Sequence, residues 1–262
     1  MRSLARQAGG CRALSGFAAN CASRRRTRPA RRLRVVAVVS VLLLPGAASA
    51  AVLRPGDGGR ATESAQVPGE LRYGDRGRAV ASLQRRLVTL RYLEGGGIDG
   101  IFGEETWNAV VALQGWARID RDGIVGLETR RVLRDARVPQ PWRPLQRALE
   151  IDLRRQVLLV VEGGGVRRAV HVSTGALPPT PQGRFTVVRR IRQSWSRLYH
   201  VSLPYALYFY RGFAIHAYRI VPDHPASHGC IRIPFQDAPF VFHAAPLGTP
   251  VLIRGTHRQP GQ

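Results

Sequence analysis

Apolar residues between positions 70 and 135 follow the spacing of α-helices. In the first predicted helix they recur every three or four positions, which puts them on one face. They are Val80, Leu83, Leu87 and Leu90. A second, less amphipathic helix carries Trp107, Val110, Val111 and Gln114. The pattern predicts a compact bundle of about three short helices over 70–135.

An internal repeat lies between and after these helices. The segment 99–106, DGIFGEET, returns at 122–129 as DGIVGLET. Each copy supplies an Asp-Gly turn, one apolar residue and a second glycine, followed by a Glu-Thr pair where a helix is expected to begin. Two similar turns are therefore expected within the bundle.

After a proline-rich stretch at 136–146, which predicts a stiff linker, the pattern changes to that of β-strands. Short segments rich in Val, Ile, Phe and Tyr are separated by Gly or Pro turns. The predicted strands are 148–153, 157–161, 166–172, 184–191, 206–210 and 251–253. One helix is predicted from Asp237 through about Ala245, with Pro239 in its first turn. The expected fold combines α and β domains: the three-helix domain, then a mainly β, sandwich-like domain at 147–255 and a tail at 256–262.

Composition excludes several classes of protein. The 262 residues are 44% hydrophobic and 22% charged, which excludes disordered, collagen-like and disulfide-dense chains. A net charge of +23 alone would indicate an anionic partner such as nucleic acid. All 40 basic residues are arginine, however, and after residue 50 they form no clustered stripe. We therefore expect no nucleic-acid partner.

The first fifty residues, 1–50, have the layout of a secretory signal. A basic stretch at 24–34 precedes an apolar run at 35–44 and the small residues Ala48-Ser49-Ala50. This pattern predicts export to the periplasm or cell wall, with membrane attachment only if the segment is not cleaved. Residues 51–69 are rich in Gly, Pro, Ser and charge and predict a linker.

Candidate chemistry concentrates around one cysteine. Cys11 and Cys21 fall within the predicted signal, so Cys230 is the one thiol expected in the mature chain. It lies in the run SHGCIR at 227–232, and His216 ends a strand-like segment upstream. A thiol attacks as thiolate and needs a nearby base or positive field. We therefore expect His216 and the N–H groups of the turn to lower the pKa of the thiol.

Residue chemistry alone leaves three interpretations of this cluster open. Cys230 is a nucleophile, or it is a buried structural thiol beside a turn. In the third, zinc is held by His216, His224, His228 and Cys230, although their spacing fits no common zinc site.

The helical segment resembles the peptidoglycan-binding domain of bacterial cell-wall enzymes. The resemblance covers about sixty residues, from Leu71 to Leu133, and its most specific feature is the doubled Asp-Gly-Ile turn. Other matching positions are Gly74, Asp75, Gly77, Leu83, Gln84, Tyr92, Leu93, Ala109 and Val110. The resemblance implies a domain that folds by itself and binds peptidoglycan.

The β segment resembles the catalytic domain of the L,D-transpeptidases, cysteine enzymes that remodel bacterial peptidoglycan. The central motif is His216 followed by the run at 227–232. The match extends from Ala148 to Arg254. It includes Ile151-Asp152-Leu153, Ser173-Thr174-Gly175, Thr180-Pro181-Gln182-Gly183 with Phe185, and Gly248-Thr249-Pro250-Val251.

This resemblance implies catalytic roles for four residues. Cys230 is the nucleophile, and His216 is the proton acceptor and later donor, held in one tautomer by a backbone carbonyl. His228 and Gly229 shape the nucleophile turn and, with the Cys230 N–H, form the oxyanion hole.

The resemblance also implies a substrate-binding group. Ser227 and Arg232 brace the turn and bind substrate, and Tyr208 or Tyr210 lines the donor site. The loop between His216 and Ser227 has only ten residues, which predicts a reduced lid over the acceptor site.

The implied reaction is acyl transfer through a thioester, without metal or other cofactor. Cys230 attacks the third residue of a tetrapeptide stem and expels the terminal D-Ala, and an amine of a neighbouring stem accepts the acyl group. The product is a crosslink between third residues of peptidoglycan stems.

The same resemblance leaves other acceptors open. Water as acceptor gives a carboxypeptidase, and a protein amine gives wall attachment. A non-catalytic wall-binding protein is the remaining alternative, and carbapenems are the expected inhibitors.

Overall fold

The structure, a computed structural model, describes residues 69–256. The predicted signal and all but the last residue of the linker at 51–69 lie outside the described residues, as do residues 257–262 of the tail. Within 69–256 no helix is long and apolar enough to cross a membrane.

The described chain begins with the predicted three-helix domain. The helices are α1, Arg78–Thr89, α2, Glu104–Ala117, and α3, Leu127–Asp135, with a short 3-10 turn at Gly95–Gly97. The predicted apolar face of α1 is buried at all four positions. The helix-spacing prediction is confirmed because the residues it identified form the core of the bundle.

Two glutamines explain the sequence repeat. Gln84 of α1 donates from Nε2 to the Asp99 carboxylate at 2.7 Å and accepts from the Gly100 N–H at 2.8 Å. Gln114 of α2 makes the same pair of hydrogen bonds to the second copy, at 2.7 and 2.9 Å. Each Asp-Gly turn is therefore closed by a buried amide of the preceding helix.

Nine strands and one helix follow and form a two-sheet, mainly β domain. One sheet has the order β3-β2-β1-β9-β4, and the other has the order β5-β6-β7-β8. The strands are β1 Arg147–Asp152, β2 Val157–Glu162, β3 Gly165–His171, β4 Gly183–Thr186, β5 Arg189–Ser196, β6 Val201–Tyr210, β7 Phe213–Tyr218, β8 Ile231–Pro234 and β9 Pro250–Arg254. Helix α4, Ala238–Ala244, follows β8 where Pro239 predicted it.

The single strand predicted at 184–191 is wrong. The structure divides it into β4 and β5, which belong to different sheets. Val187 and Val188 lie at the crossing, where Val187 bonds to Thr249 beside the first sheet and Val188 bonds to Tyr208 of the second. Val187 is buried between the sheets, so the apolar pattern of the sequence continues from β4 into β5. The pattern therefore does not indicate that the strand ends there. The four-residue strand β8 was also not predicted.

Both faces of the five-stranded sheet are buried, each in a different core. Along β2, Leu158 and Val160 point toward the second sheet, whereas Leu159 and Val161 pack among the residues of the helical domain. This alternation is the period of two that a strand imposes on its side chains. The helical domain therefore shares a hydrophobic core with the β domain. Whether the helical segment also folds by itself stays a prediction.

Gly115 of α2 packs directly against the backbone of the β domain. A Cβ at this position would overlap the backbone carbonyl oxygen of Arg155, in the turn between β1 and β2. Backbone cannot move aside as a flexible side chain can, so only glycine fits this contact.

We expect Gly115→Ala to lower the free energy of unfolding of the chain by about 1–3 kcal/mol, as overpacking does. In an unobstructed helix the same change would raise the free energy of unfolding by about 1 kcal/mol, so the sign of the change shows whether the contact is present. Denaturant unfolding measures this free energy. The control is Gly96→Ala, where nothing lies within 4 Å of the added Cβ. Equal stability of the two variants would contradict the close contact.

Candidate active site

The parallel pairing of β7 with β8 brings the predicted nucleophile and base to one face of the second sheet. Ile215 pairs with Ile231, and both are buried in the core between the sheets. Side chains alternate along each strand, so His216 and Arg232 point to the opposite face. Cys230 directly precedes β8 and by the same alternation shares that face. His216 and Cys230 are therefore diagonal neighbours on adjacent strands.

His216 is held as a neutral base. Its Nδ1 lies 2.8 Å from the Ala217 carbonyl oxygen. A carbonyl only accepts, so Nδ1 carries the hydrogen and Nε2 keeps a free lone pair. Burial lowers the pKa of His216 to about 4, and the positive charge of Arg232 lowers it further. The hydrogen bond to Ala217 acts in the opposite direction but does not outweigh burial. At neutral pH the imidazole can accept a proton.

The prediction that the Cys230 thiol has a lowered pKa is wrong. Cys230 is half-buried, and burial raises the pKa of its thiol above the ordinary value. The Ala214 backbone and the charge of Arg232 act in the opposite direction but do not outweigh burial. Because His216 is neutral, it supplies no positive charge to stabilise a thiolate. The resting pair is a neutral thiol and a neutral imidazole.

The turn before Cys230 is closed by Ser227 and requires glycine at 229. The Ser227 hydroxyl donates to the Cys230 carbonyl oxygen at 2.5 Å and accepts from the Gly229 N–H at 3.2 Å. Gly229 has a φ of 102°, and a Cβ there would overlap the ring of Phe213. The Gly229 N–H is therefore engaged within the turn, and this residue sets the direction of the backbone at the nucleophile.

The segment 173–175, after β3, holds both sides of this turn. Ser173 and Arg232 exchange two backbone hydrogen bonds, of 3.0 and 2.9 Å. The Thr174 carbonyl accepts from the N–H groups of Ala226 and Ser227, at 3.0 and 3.1 Å. These contacts explain why a Ser-Thr-Gly segment distant in sequence accompanies the cysteine motif.

Arg232 braces the loop between His216 and Ser227. Its Nη1 donates to the Ala226 carbonyl at 3.1 Å, and its guanidinium lies 4.2 Å from the centre of the Tyr218 ring. The charge is partly exposed and remains beside Cys230.

The two candidate tyrosines occupy different faces of β6. Tyr208 pairs with Ala214 and so shares the face of the nucleophile, but it is buried, with its hydroxyl 2.7 Å from Ser194. Tyr210 packs against Phe185, with ring centres 5.1 Å apart, beside the core between the sheets. Of the two, only Tyr208 lies on the active face.

Tyr199 is a site residue that the sequence analysis missed. It lies in the β5–β6 connection, and its ring stacks on the exposed ring of His228, with centres 4.8 Å apart and planes at 19°. The hairpin therefore reaches over the nucleophile turn. No motif indicates this contact, although Leu198 and Tyr199 are exposed apolar residues at a hairpin tip.

The four residues of the zinc alternative do not converge. His224 is exposed, and its Nδ1 lies 2.6 Å from the Asp223 carboxylate, while His228 stacks on Tyr199. Across residues 69–256 no group of three His, Cys, Asp or Glu side chains could hold a metal ion.

Comparisons with known proteins give consistent matches. The family model for the L,D-transpeptidase catalytic domain matches residues 146–253, and that for a peptidoglycan binding domain matches residues 76–133. A solved L,D-transpeptidase from Xylanimonas cellulosilytica DSM 15894 is 32% identical, with 72% of this chain and 99% of that chain covered and a TM-score of 0.67. One from Stackebrandtia nassauensis is 25% identical, with 72% and 96% covered and a TM-score of 0.46. No curated protein matches the chain.

We expect the alkylation rate of Cys230 to reach half its maximum above about pH 8.5, the ordinary value for a free cysteine. The reason is that burial disfavours the thiolate and His216 is uncharged. Iodoacetamide labelling across a pH series, quantified on the peptide that contains Cys230, measures this. The control variant His216→Asn should give a midpoint no lower than that of the parent chain, because a neutral imidazole does not stabilise the thiolate. A midpoint well below about pH 8.5 in the parent chain would contradict the raised pKa.

Proposed function

Because the chain belongs to the L,D-transpeptidase family, we propose that it crosslinks peptidoglycan stems through a thioester on Cys230. One observation carries this proposal: the β7–β8 register puts a neutral histidine with a free Nε2 on the same sheet face as the only cysteine of the described residues. A thiol beside a base is the arrangement that nucleophilic acyl transfer requires.

In the first step, the Cys230 sulfur attacks the carbonyl carbon of the third residue of a tetrapeptide stem. His216 Nε2 accepts the thiol proton as the S–C bond forms, so no thiolate has to exist in the resting enzyme. Negative charge develops on the former carbonyl oxygen. Since the Gly229 N–H is already bonded to Ser227, the N–H groups of Cys230 and His228 are the proposed donors to that oxygen.

Collapse of this intermediate breaks the C–N bond to the terminal D-Ala. The imidazolium of His216 returns its proton to the leaving amine, and the thioester remains on Cys230. In the second half, His216 accepts a proton from the side-chain amine of a neighbouring stem as that amine attacks the thioester. The thiol is restored when the C–S bond breaks and the proton returns to sulfur, leaving a crosslink between third residues.

The same site supports hydrolysis when water replaces the acceptor amine, which makes an L,D-carboxypeptidase the second candidate. Arg232, partly exposed beside the nucleophile, is a proposed contact for a stem carboxylate. Tyr208 lies on the same face but is buried beneath Arg189, whose guanidinium is 3.9 Å from the ring centre. We propose that it supports the donor site from below.

We also propose that the chain acts outside the cytoplasmic membrane, in the periplasm or cell wall. The layout of residues 1–50 supports this, as does the match of residues 76–133 to a peptidoglycan binding domain. Tethering to the wall would raise the effective concentration of stems at the active site.

We expect Cys230→Ser and His216→Ala each to lower turnover of disaccharide-tetrapeptides by at least about a hundredfold, as loss of a nucleophile or base does. Mass spectrometry of the products distinguishes a crosslinked dimer from a hydrolysed tripeptide. The double variant should be little worse than either single one, since nucleophile and base act together.

His224→Ala is the matched control for this experiment. His224 is exposed and paired with Asp223, so its loss should leave both turnover and the unfolding midpoint unchanged. Turnover that persists in Cys230→Ser would contradict the proposed nucleophile.

A carbapenem carries a strained amide and should acylate Cys230 as a donor stem does. We expect intact mass spectrometry to show one added drug mass on the parent chain and none on Cys230→Ser. Equal labelling of the two proteins would contradict thioester formation at Cys230.

A further inference from the structure

Arg189 lies in one row with the proposed nucleophile across the second sheet. Arg189 of β5 pairs with Tyr208 of β6, and Tyr208 pairs with Ala214 of β7. The parallel register of β7 with β8 brings Ala214 beside Cys230, one position before the first pair of that ladder. Residues directly opposite each other on neighbouring strands point to the same face, so all four side chains lie on the face of the nucleophile.

The guanidinium of Arg189 is held in a defined position on this face. It lies 3.9 Å from the centre of the Tyr208 ring, and the Tyr208 hydroxyl lies 2.7 Å from that of Ser194. Tyr208 is buried, whereas Arg189 is exposed, so the charge faces solvent. A guanidinium stacked on a ring still presents its N–H groups along its edge, where a planar anion can bind them.

No group of the protein uses these N–H donors. Within residues 69–256 the Arg189 side chain has neither a hydrogen-bond partner nor an ion-pair partner. Two other arginines of this sheet are engaged, because Arg190 donates to the Phe242 carbonyl at 2.7 Å and Arg232 donates to that of Ala226 at 3.1 Å. The segment 183–222 contains seven arginines and no acidic residue, so no carboxylate of the hairpin competes for Arg189.

The spacing along the row matches the dimensions of a peptide stem. Neighbouring strands lie about 4.8 Å apart, so Tyr208, over which the guanidinium lies, is about 10 Å from Cys230. An extended peptide spans about 3.3 Å per residue, so a carboxylate two or three residue lengths from the scissile carbonyl lies in the same range. Two carboxylates of a donor stem meet this condition, one on the second residue and one at the end of the third residue's side chain.

We propose that Arg189 binds one of these two carboxylates and so selects donor stems in which it is free. The inference rests on the proposed function, since it takes the peptidoglycan stem as the substrate. Arg189 lies too far from Cys230 to touch the reacting atoms, so it contributes to binding and specificity and not to the chemical steps. Arg232, on the opposite edge of the sheet, is a separate contact.

The test compares kcat/KM of the full chain for three donor stems. One has both carboxylates free, one is amidated at the second residue, and one is amidated at the side chain of the third residue. In the parent chain one of the two amidations should lower kcat/KM at least about fivefold, as loss of a charge-assisted hydrogen bond implies. That amidation identifies the carboxylate that is bound.

Arg189→Gln should lower kcat/KM for the free stem by a similar factor, mainly through a higher KM, because Arg189 binds substrate before and during the reaction alike. In this variant the same amidation should have no further effect, since the pair is already broken. A merely structural role of Arg189 would leave the cost of amidation unchanged. An amidation that costs the same in the parent chain and in Arg189→Gln would therefore overturn the proposal, as would a parent chain indifferent to both amidations.

Arg192→Gln is the matched control variant. Arg192 is also an exposed arginine of β5, and its guanidinium lies 5.5 Å from the centre of the Tyr205 ring. Tyr205 packs with Phe242 of α4 beside the core between the sheets, away from the active face. The control removes the same charge and should keep the parent kcat/KM with every stem. Equal losses in the two variants would show a general effect of charge and overturn the contact.

Binding to Cys230→Ser separates this proposal from the proposed function, because it needs no turnover. Calorimetric titration of Cys230→Ser with the free stem should show binding that adding Arg189→Gln weakens at least about fivefold. Such weakening, with no turnover in the parent chain, would support the carboxylate contact and refute the transpeptidase proposal. Turnover in the parent chain that Arg189→Gln does not change would refute the contact and leave the transpeptidase proposal intact.

Discussion

The pairing of β7 with β8 is the constraint on which the active face depends. Because side chains alternate with a period of two, burying Ile215 and Ile231 between the sheets directs His216 and Cys230 to the opposite face. A slip of one residue in either strand would turn its functional side chain into the core. The hydrophobic core and the catalytic pair are therefore fixed by the same register, and the segment 173–175 holds that register from the other side.

Burial then determines the protonation state of the pair. It lowers the pKa of His216 to about 4 and raises the pKa of the Cys230 thiol, so both groups are neutral near pH 7. In the unfolded chain a histidine has a pKa of about 6.5. Between this pH and a pH of about 4, the unfolded chain therefore binds more protons at His216 than the folded chain does. Neutral His216 therefore contributes stability that is lost as the pH falls through this window. Proton transfer during attack, rather than a preformed thiolate, follows from the neutral pair.

Local patterns in the sequence were sufficient to predict the helices and to identify the motif around Cys230. Helix spacing identified the core of α1, and the doubled turn reflects the local pairing of a helix with the turn that follows it. Three features depend on tertiary contacts that no local pattern contains. These are the crossing between the sheets at Val187, the stacking of Tyr199 on His228, and the burial that raises the pKa of Cys230. The prediction of an acidic thiol failed because burial of Cys230 outweighs the groups that favour its thiolate.

The protonation state of His216 is the most direct test of this account. Nuclear magnetic resonance of the chain labelled with ¹⁵N-histidine reports the tautomer and charge of each ring across a pH series. The account predicts a neutral ring with hydrogen on Nδ1 at neutral pH, and protonation with a midpoint near pH 4. An imidazolium at neutral pH that loses its charge when Cys230 is alkylated would contradict it, because that result requires a thiolate–imidazolium pair in the resting enzyme.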